Sequence, residues 1–584
     1  MTTRSRCFAL LSACLVCLVG FGCATTAPNP STATTGVDEP PAATQPLVRG
    51  DKDSAYGVGG TAQLFPDMGD YRRPVTTDAP LAQRYFNQGL KWIYAFNHDE
   101  AVRSFTKATE IDPTCAMAWW GIAYAQGPNY NASNLNPARR AAAWDAIQRA
   151  IAELDRETPA EQALVRATAL RTVEPAVFDR LEGEAKKLAP KQAKAAFAKA
   201  MAKVWADHPD DADLGTLYAD AMMLNNPWRL FKSDGTPARA ETLDIIQTLE
   251  AVMRFAPMHP GANHLYVHAV EAGRDKQRGV AAADRLSTLV PMSGHLTHMP
   301  SHIYVQAGLW ERAIDQNLIA LKTDRAYLER SPAHFRQHGY IAHNGHMLAF
   351  AAMMVGREED AMRGAMHAWN TIPDDLMDTM GRRYDRALCA RLDVMKRFGR
   401  WDQILAEPKP PEMLRLTTAV WHMCRAVAFA AKKDFDNAAI DQAIFKQLRA
   451  KRQKDKLLRL YDHFIAAEIA LHKEQWSRSI DELQKAIAIE DTLGYGEPPR
   501  HLQPVRHTLG AVYAQVGDYA NAERVYREDL DKWPGNGWSL FGLARALNEQ
   551  GKTDEADQAL AAYQDAWRHA DQPLRTSCKC IPKL

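Results

Sequence analysis

Cysteine is scarce in this chain beyond Cys23: only Cys115, Cys389, Cys424, Cys578 and Cys580 follow, and only the last two lie close together. That spacing excludes a disulfide framework of the kind that staples small secreted folds. Cys578-Lys579-Cys580 has three readings: a local disulfide, a soft-metal site, or two free thiols in a frayed tail. The frayed tail is the expectation. An excess of charge of one sign is also missing, since 71 basic residues stand against 70 acidic ones. No overall field draws in nucleic acid or an anionic membrane surface, and no nucleic-acid partner is expected. Strand-like alternation is rare. A Gly-rich phosphate loop, H-E-x-x-H, G-x-S-x-G and a recognisable nucleophile–base order are all lacking, so no motif establishes catalysis.

What is present begins with Arg4 and Arg6, followed by an apolar run from Cys7 to Phe21 that is too short and one-sided for a spanning helix. Val19-Gly20-Phe21-Gly22-Cys23 resembles a bacterial lipoprotein signal, with Phe21 bulky for its place. Leu11-Ser12-Ala13-Cys14 fits that pattern better but leaves a shorter apolar region, and an ordinary cleaved leader is the plain alternative. The expectation is a signal over 1–22, lipid on Cys23, and a flexible Ala/Thr/Pro-rich tether over 23–80. The resemblance implies a membrane contact through that anchor and a place in the bacterial cell envelope, periplasmic or at the surface.

From Ala82 the text is helical, with Ala, Leu, Glu, Lys and Arg dominant and apolar residues recurring at three- and four-residue spacing. Gly89, Trp92, Ala101, Phe105, Ala108 and Pro113 alternate small and large residues before a closing proline. Leu509, Gly510, Tyr513, Ala522 and Pro534 do the same, and Ala556 with Leu560 repeats Ala522 with Tyr526 after 34 residues. This pattern resembles the tetratricopeptide repeat, in which small residues let paired helices approach and large ones fill the gap. The resemblance implies an all-α solenoid of stacked antiparallel helix hairpins: N-terminal repeats over 81–225, central histidine-rich repeats over 226–375, C-terminal repeats over 376–570, and a tail over 571–584. It also implies a concave groove for a protein or peptide partner, and a stability that sums over neighbouring interfaces. Gly127–Asn134 and Asn225-Asn226-Pro227-Trp228 interrupt the pattern, as groove caps or as marks of divergence, the latter expected.

Ten of nineteen histidines fall between His259 and His346, and His264 and His268 recur as His298 and His302 after 34 residues. In repeat register His295, His298 and His302 take the second, fifth and ninth places of a groove-lining helix. His264, His268 and Glu271 take the fifth, ninth and twelfth of the one before. His343 and His346 take the second and fifth of the one after. An i, i+4 pair puts two imidazoles on one helix face, and helices packed roughly 8–10 Å apart bring several pairs to one ion. Imidazole suits zinc, copper and iron, and Glu271 adds a carboxylate as ligand or orienting group. Asp220, aligned with His268, is a further candidate. His259-Pro260-Gly261 reads as a helix start, His334 and His338 as flanks of a loop, and Tyr266 and Tyr304 as core. Pro300 threatens to split the helix that carries His295, His298 and His302.

Three functions remain. The first is an envelope-anchored interaction scaffold, with or without a histidine-rich metal site in its groove. The second is a metal-dependent enzyme, an oxidoreductase or hydrolase, built on the solenoid with Glu271 as ligand or base. The third is metal storage or delivery. Packing histidines are the plain alternative to all metal readings.

Overall fold

The computed structural model describes residues 62–132, 135–331, 338–372, 377–579 and 581. The leader, Cys14, Cys23, His334 and Cys580 lie outside them. Among the described residues α-helix follows α-helix and there is no β-strand; the one isolated β-bridge joins Phe231 to Pro237. Helices pair as antiparallel hairpins, from Pro80–Tyr94 with His98–Ile111 to Gly537–Glu549 with Thr553–Ala566. No described helix is long and apolar enough to cross a membrane.

The repeat pattern works through close approach. A Cβ on Gly89 would lie 2.8 Å from the Phe105 ring and one on Gly121 2.5 Å from it, so the ring is clamped between two first helices. Gly510 and Gly542 hold Tyr526 in the same way. In the central repeats Gly345 and Gly364 meet back to back, each facing the other's carbonyl at 2.5 Å from a would-be Cβ. That contact seats the His338–Met354 helix against Glu358–Asn370.

The array is not a string of nearest neighbours. Asn97 donates to the Tyr327 hydroxyl at 3.0 Å, Trp310 Nε1 to the Pro534 carbonyl at 2.8 Å, and Trp538 Nε1 to the Met353 carbonyl at 2.8 Å. Both the N-terminal and the C-terminal repeats therefore close onto the central ones, correcting the expectation of purely local interfaces. Trp310 and Trp538, buried with indole N–H groups that need acceptors, supply the reason.

Two boundary expectations change as well. The flexible tether does not reach residue 80. Residues 62–79 form a non-helical strap with Phe65 and Met68 buried, and the Phe65 ring stands 5.3 Å from Trp92 and 5.9 Å from Tyr327. Leu64-Phe65 and Tyr71 supply apolar surface that the Ala/Thr/Pro segment lacks. The C-terminal tail is not frayed with free thiols: Leu574 and Cys578 are buried, and Cys578 is disulfide-bonded. Cys115, Cys389 and Cys424 are free and buried.

Candidate metal centre

Three first helices carry the histidines. Pro260–Val270 opens with Pro260 at its first turn and His259 as its cap, the ring Nδ1 accepting from the Ala262 amide at 3.0 Å. His259 is thus the helix start read from the sequence. The next helix is written in two pieces, Gly294–His298 and Pro300–Ala307, joined by Met299 in helical conformation (φ −51, ψ −36). Pro300 therefore omits one backbone bond without turning the chain, and His295, His298 and His302 stay on one surface. His338–Met354 brings His343.

The side chains meet as two histidine triads, His264 with His268 and His295, and His298 with His302 and His343, and a third group, His268 with Glu271 and His302, overlaps both. Within each triad one ligand atom per residue lies within 4.8 Å of the others. The outer nitrogens are held. His264 Nδ1–H donates to the Tyr94 carbonyl at 2.6 Å, which fixes the tautomer because a carbonyl only accepts. His268 Nδ1–H donates to Glu271 Oε1 at 3.0 Å and His302 Nδ1–H to Glu271 Oε2 at 2.9 Å. His298 Nδ1–H donates to Asn317 Oδ1 at 2.7 Å, and the Asn317 amide is oriented by its own bond to the Ala313 carbonyl at 2.7 Å.

In the four rings so held, His264, His268, His298 and His302, the lone pair of the neutral imidazole falls on Nε2. Nε2 of His264, Nε2 of His268 and both ring nitrogens of His295 are buried without a partner. In the second triad His298 Nε2 faces His302 Nε2 at 2.8 Å, and His302 Nε2 faces His343 Nε2 at 3.3 Å. Two imidazole lone pairs repel at that distance, and either a proton on one Nε2 or a bound metal ion relieves the contact. Burial favours the neutral form of five of these rings: it pushes His264 down to about 3 and His343 to about 4, and His268, His295 and His298 well below the usual imidazole range. Converging imidazole nitrogens of this kind have the chemistry of a transition-metal donor set.

Glu271 links the triads, and Glu497 joins it, its Oε2 2.7 Å from His302 Nδ1. Burial first and the Glu497 charge second push the Glu271 carboxyl well above its usual range. At Glu497 burial acts in the same direction, but the interaction with His302 outweighs it and holds the carboxyl below that range. His268, His295, His302, His343 and Glu497 line a cavity of about 570 Å³, the size of a small-molecule site.

Seven of the eight expected residues come together: His264, His268, Glu271, His295, His298, His302 and His343. His346 does not. It is three residues on from His343, about 60° round the helix, and lines a separate chamber beside Arg386. Asp220 is likewise outside, buried and accepting from the Tyr124 hydroxyl. Both interruptions cap the site: Tyr130 stacks 5.2 Å from His268 and 5.1 Å from Trp228, and Asn131 donates to the Tyr340 hydroxyl at 3.4 Å. Divergence is therefore the wrong reading of them. Glu497, Phe96, Tyr130, Trp228, Tyr340 and Asn317 had not been singled out as site residues. The unusual length of the segment from Asp491 to Pro504, where the repeat needs only a turn, was a usable signal for Glu497.

Residues 513–569 match the tetratricopeptide repeat family. No curated protein matches the chain in sequence. Similar solved structures include the human IFIT1 dimer with m7Gppp-AAAA, at 11% identity over 84% of this chain and 91% of that one, with a TM-score of 0.28. The Cut9–Hcn1 hetero-tetramer of APC/C is similar at 12% identity over 85% and 76%, TM-score 0.27. Yeast Tom70 is similar at 11% over 82% and 91%, TM-score 0.27. Helix pairing and the repeat match together define the class, an all-α solenoid of tetratricopeptide type.

Proposed function

We infer that this chain is an interaction scaffold of tetratricopeptide type whose central repeats hold a pair of transition-metal sites, one per histidine triad. The observation that supports the metal reading is the set of converging ring nitrogens, above all His298 Nε2 facing His302 Nε2 at 2.8 Å while both outer nitrogens are engaged as donors. Packing histidines would point at least one nitrogen of each ring toward a protein acceptor and leave the other toward a donor. Zinc, copper and iron all suit the imidazole-rich set. The test is elemental analysis of the purified chain after reconstitution with each ion. About two ions per chain are expected from the two triads. A chain that takes up none of the three sinks the reading.

A metal-dependent enzyme, oxidoreductase or hydrolase, is the second reading, favoured by one feature: the triads are open on one side to the cavity lined by Phe96, Trp228 and Tyr340. An ion there keeps a coordination position for a ligand, as a purely structural site does not. Tyr130 lies over His268 and Glu497 against His302, so this part of the groove is walled for a small ligand. A protein partner therefore belongs to the repeats outside the centre, including those matched over 513–569.

We place the chain at the bacterial envelope on its leader sequence alone, with the lipid on Cys23. Cys23→Ala is expected to abolish incorporation of labelled palmitate and to release the protein from the membrane fraction. Labelling that persists in that variant but disappears in Cys14→Ala moves the anchor to Cys14.

A further inference from the structure

Beside the metal cavity lies a second chamber of about 460 Å³, which shares Gly339, His343, Arg383, Tyr384 and Glu497 with it. Arg382, Arg383, Arg386 and Arg452 line it, with His346 and Tyr384. The carboxylates that reach it are already engaged. Asp385 accepts from the Leu416 and Thr417 amides at 2.7 and 2.9 Å and from the Thr417 hydroxyl at 2.6 Å. Glu497 is taken by Tyr495 and His302. Arg452 pairs with Asp455 at 2.7 Å, but Arg382, Arg383 and Arg386 have no carboxylate partner among the described residues.

In a chain with a net charge of only +1 this clustering is local, and it recurs on the opposite flank. There Lys191, Lys194, Arg229 and Arg239 line a chamber of about 660 Å³ with no acidic lining residue, sharing Asn131 and Trp228 with the metal cavity. Cations on both sides of a walled cavity focus a field that draws anions inward. Half-buried Arg386 is the least compensated member: desolvation first and the Arg500 charge second push its guanidinium below the usual range, against a smaller pull from Asp455. An unpaired, partly desolvated guanidinium gains most from a bound oxyanion.

We propose that the chamber formed by Arg382, Arg383 and Arg386 binds the phosphoryl group of a small phosphate ester whose organic part lies in the aromatic cavity over the histidine triads. Three guanidiniums without a carboxylate partner among the described residues match a dianion better than a single carboxylate, and Phe96, Trp228 and Tyr340 offer faces for an apolar remainder. The proposal rests on the metal reading only in placing that remainder beside His343; the arginine chamber stands without it.

Calorimetric titration of the full chain, metal-free and metal-loaded, with inorganic phosphate, phenyl phosphate and acetate at physiological ionic strength tests this. Phosphate and phenyl phosphate bind, phenyl phosphate more tightly and acetate least. Arg383→Gln/Arg386→Gln weakens both phosphates about tenfold or more, with metal content unchanged. Should the double variant misfold, the exposed Arg382→Gln alone weakens them about threefold. Absent phosphate binding, or binding that neither variant changes, overturns the proposal. Equal affinities for phosphate and phenyl phosphate overturn the ester. Metal loss with phosphate binding intact fails only the metal reading.

Discussion

On the proposed metal reading, replacing Glu271 by glutamine lowers metal affinity at both triads by about 10–100-fold, whereas replacing His343 by alanine removes one ion and leaves the other. The difference follows from where each group sits. Glu271 accepts from His268 with one oxygen at 3.0 Å and from His302 with the other at 2.9 Å, one histidine from each triad. Each carboxyl oxygen keeps a lone pair toward its ring even when the proton that burial favours is shared with Glu497, whereas a glutamine turns an NH2 group, a donor only, toward one ring. One histidine must then flip its tautomer, putting its proton where the ion binds. His343 touches only the second triad, through His302 Nε2 at 3.3 Å and the His298 ring at 4.7 Å between centroids. Competition against a chromogenic chelator, read beside elemental analysis, separates the two variants. A Glu271→Gln protein that holds its metals as well as the parent does would show that the carboxylate orients nothing.

The histidine pairs were legible because a 34-residue period stacks equivalent positions of neighbouring repeats, and one face of one helix kind is all that this inference needs. The period says nothing about how far the array curls. Glu497 reaches His302 across nearly two hundred positions of sequence, and the Tyr94 carbonyl reaches His264 from the other side, through closures that tryptophan and tyrosine hydrogen bonds set. Those contacts leave no periodic trace. Pro300 misled for a local reason: at the first turn of a helical piece its missing N–H costs one bond, and the flanking residues kept the helical path. Tyr130 and Trp228 sat in interruptions whose composition reads as a loop, and only packing shows that these loops fold inward over the rings.

Asp213→Asn is expected to cost about 3–5 kcal/mol of stability at neutral pH, because it uncharges a buried carboxylate that four side chains share. Oδ1 accepts from Tyr71 at 2.7 Å, from Tyr94 at 2.5 Å and from His259 Nε2–H at 3.1 Å; Oδ2 accepts from Arg73 at 2.8 Å. An asparagine must aim an N–H either at Arg73, a donor with no acceptor capacity, or at the hydroxyl and imidazole donors, and in both cases Arg73 loses its buried counter-charge and keeps only the more exposed Asp211 at 2.8 Å. Burial pushes this carboxyl up, but Arg73 and then His259 outweigh it and hold it below the usual range. A carboxyl depressed in the folded state contributes in full above its unfolded value of about 3.9 and loses that contribution as pH falls below it. The stability gap between parent and variant is therefore constant from pH 7 to about 5 and narrows in the acid range. Urea unfolding at several pH values measures it, and a gap that widens on acidification contradicts the assignment. The same substitution reaches the metal centre, because Tyr94 presents the carbonyl that orients His264, and His259 caps the helix of His264 and His268. In Asp213→Asn the first triad accordingly binds its ion more weakly while the second, built on Asn317, Glu271 and His343, keeps its own.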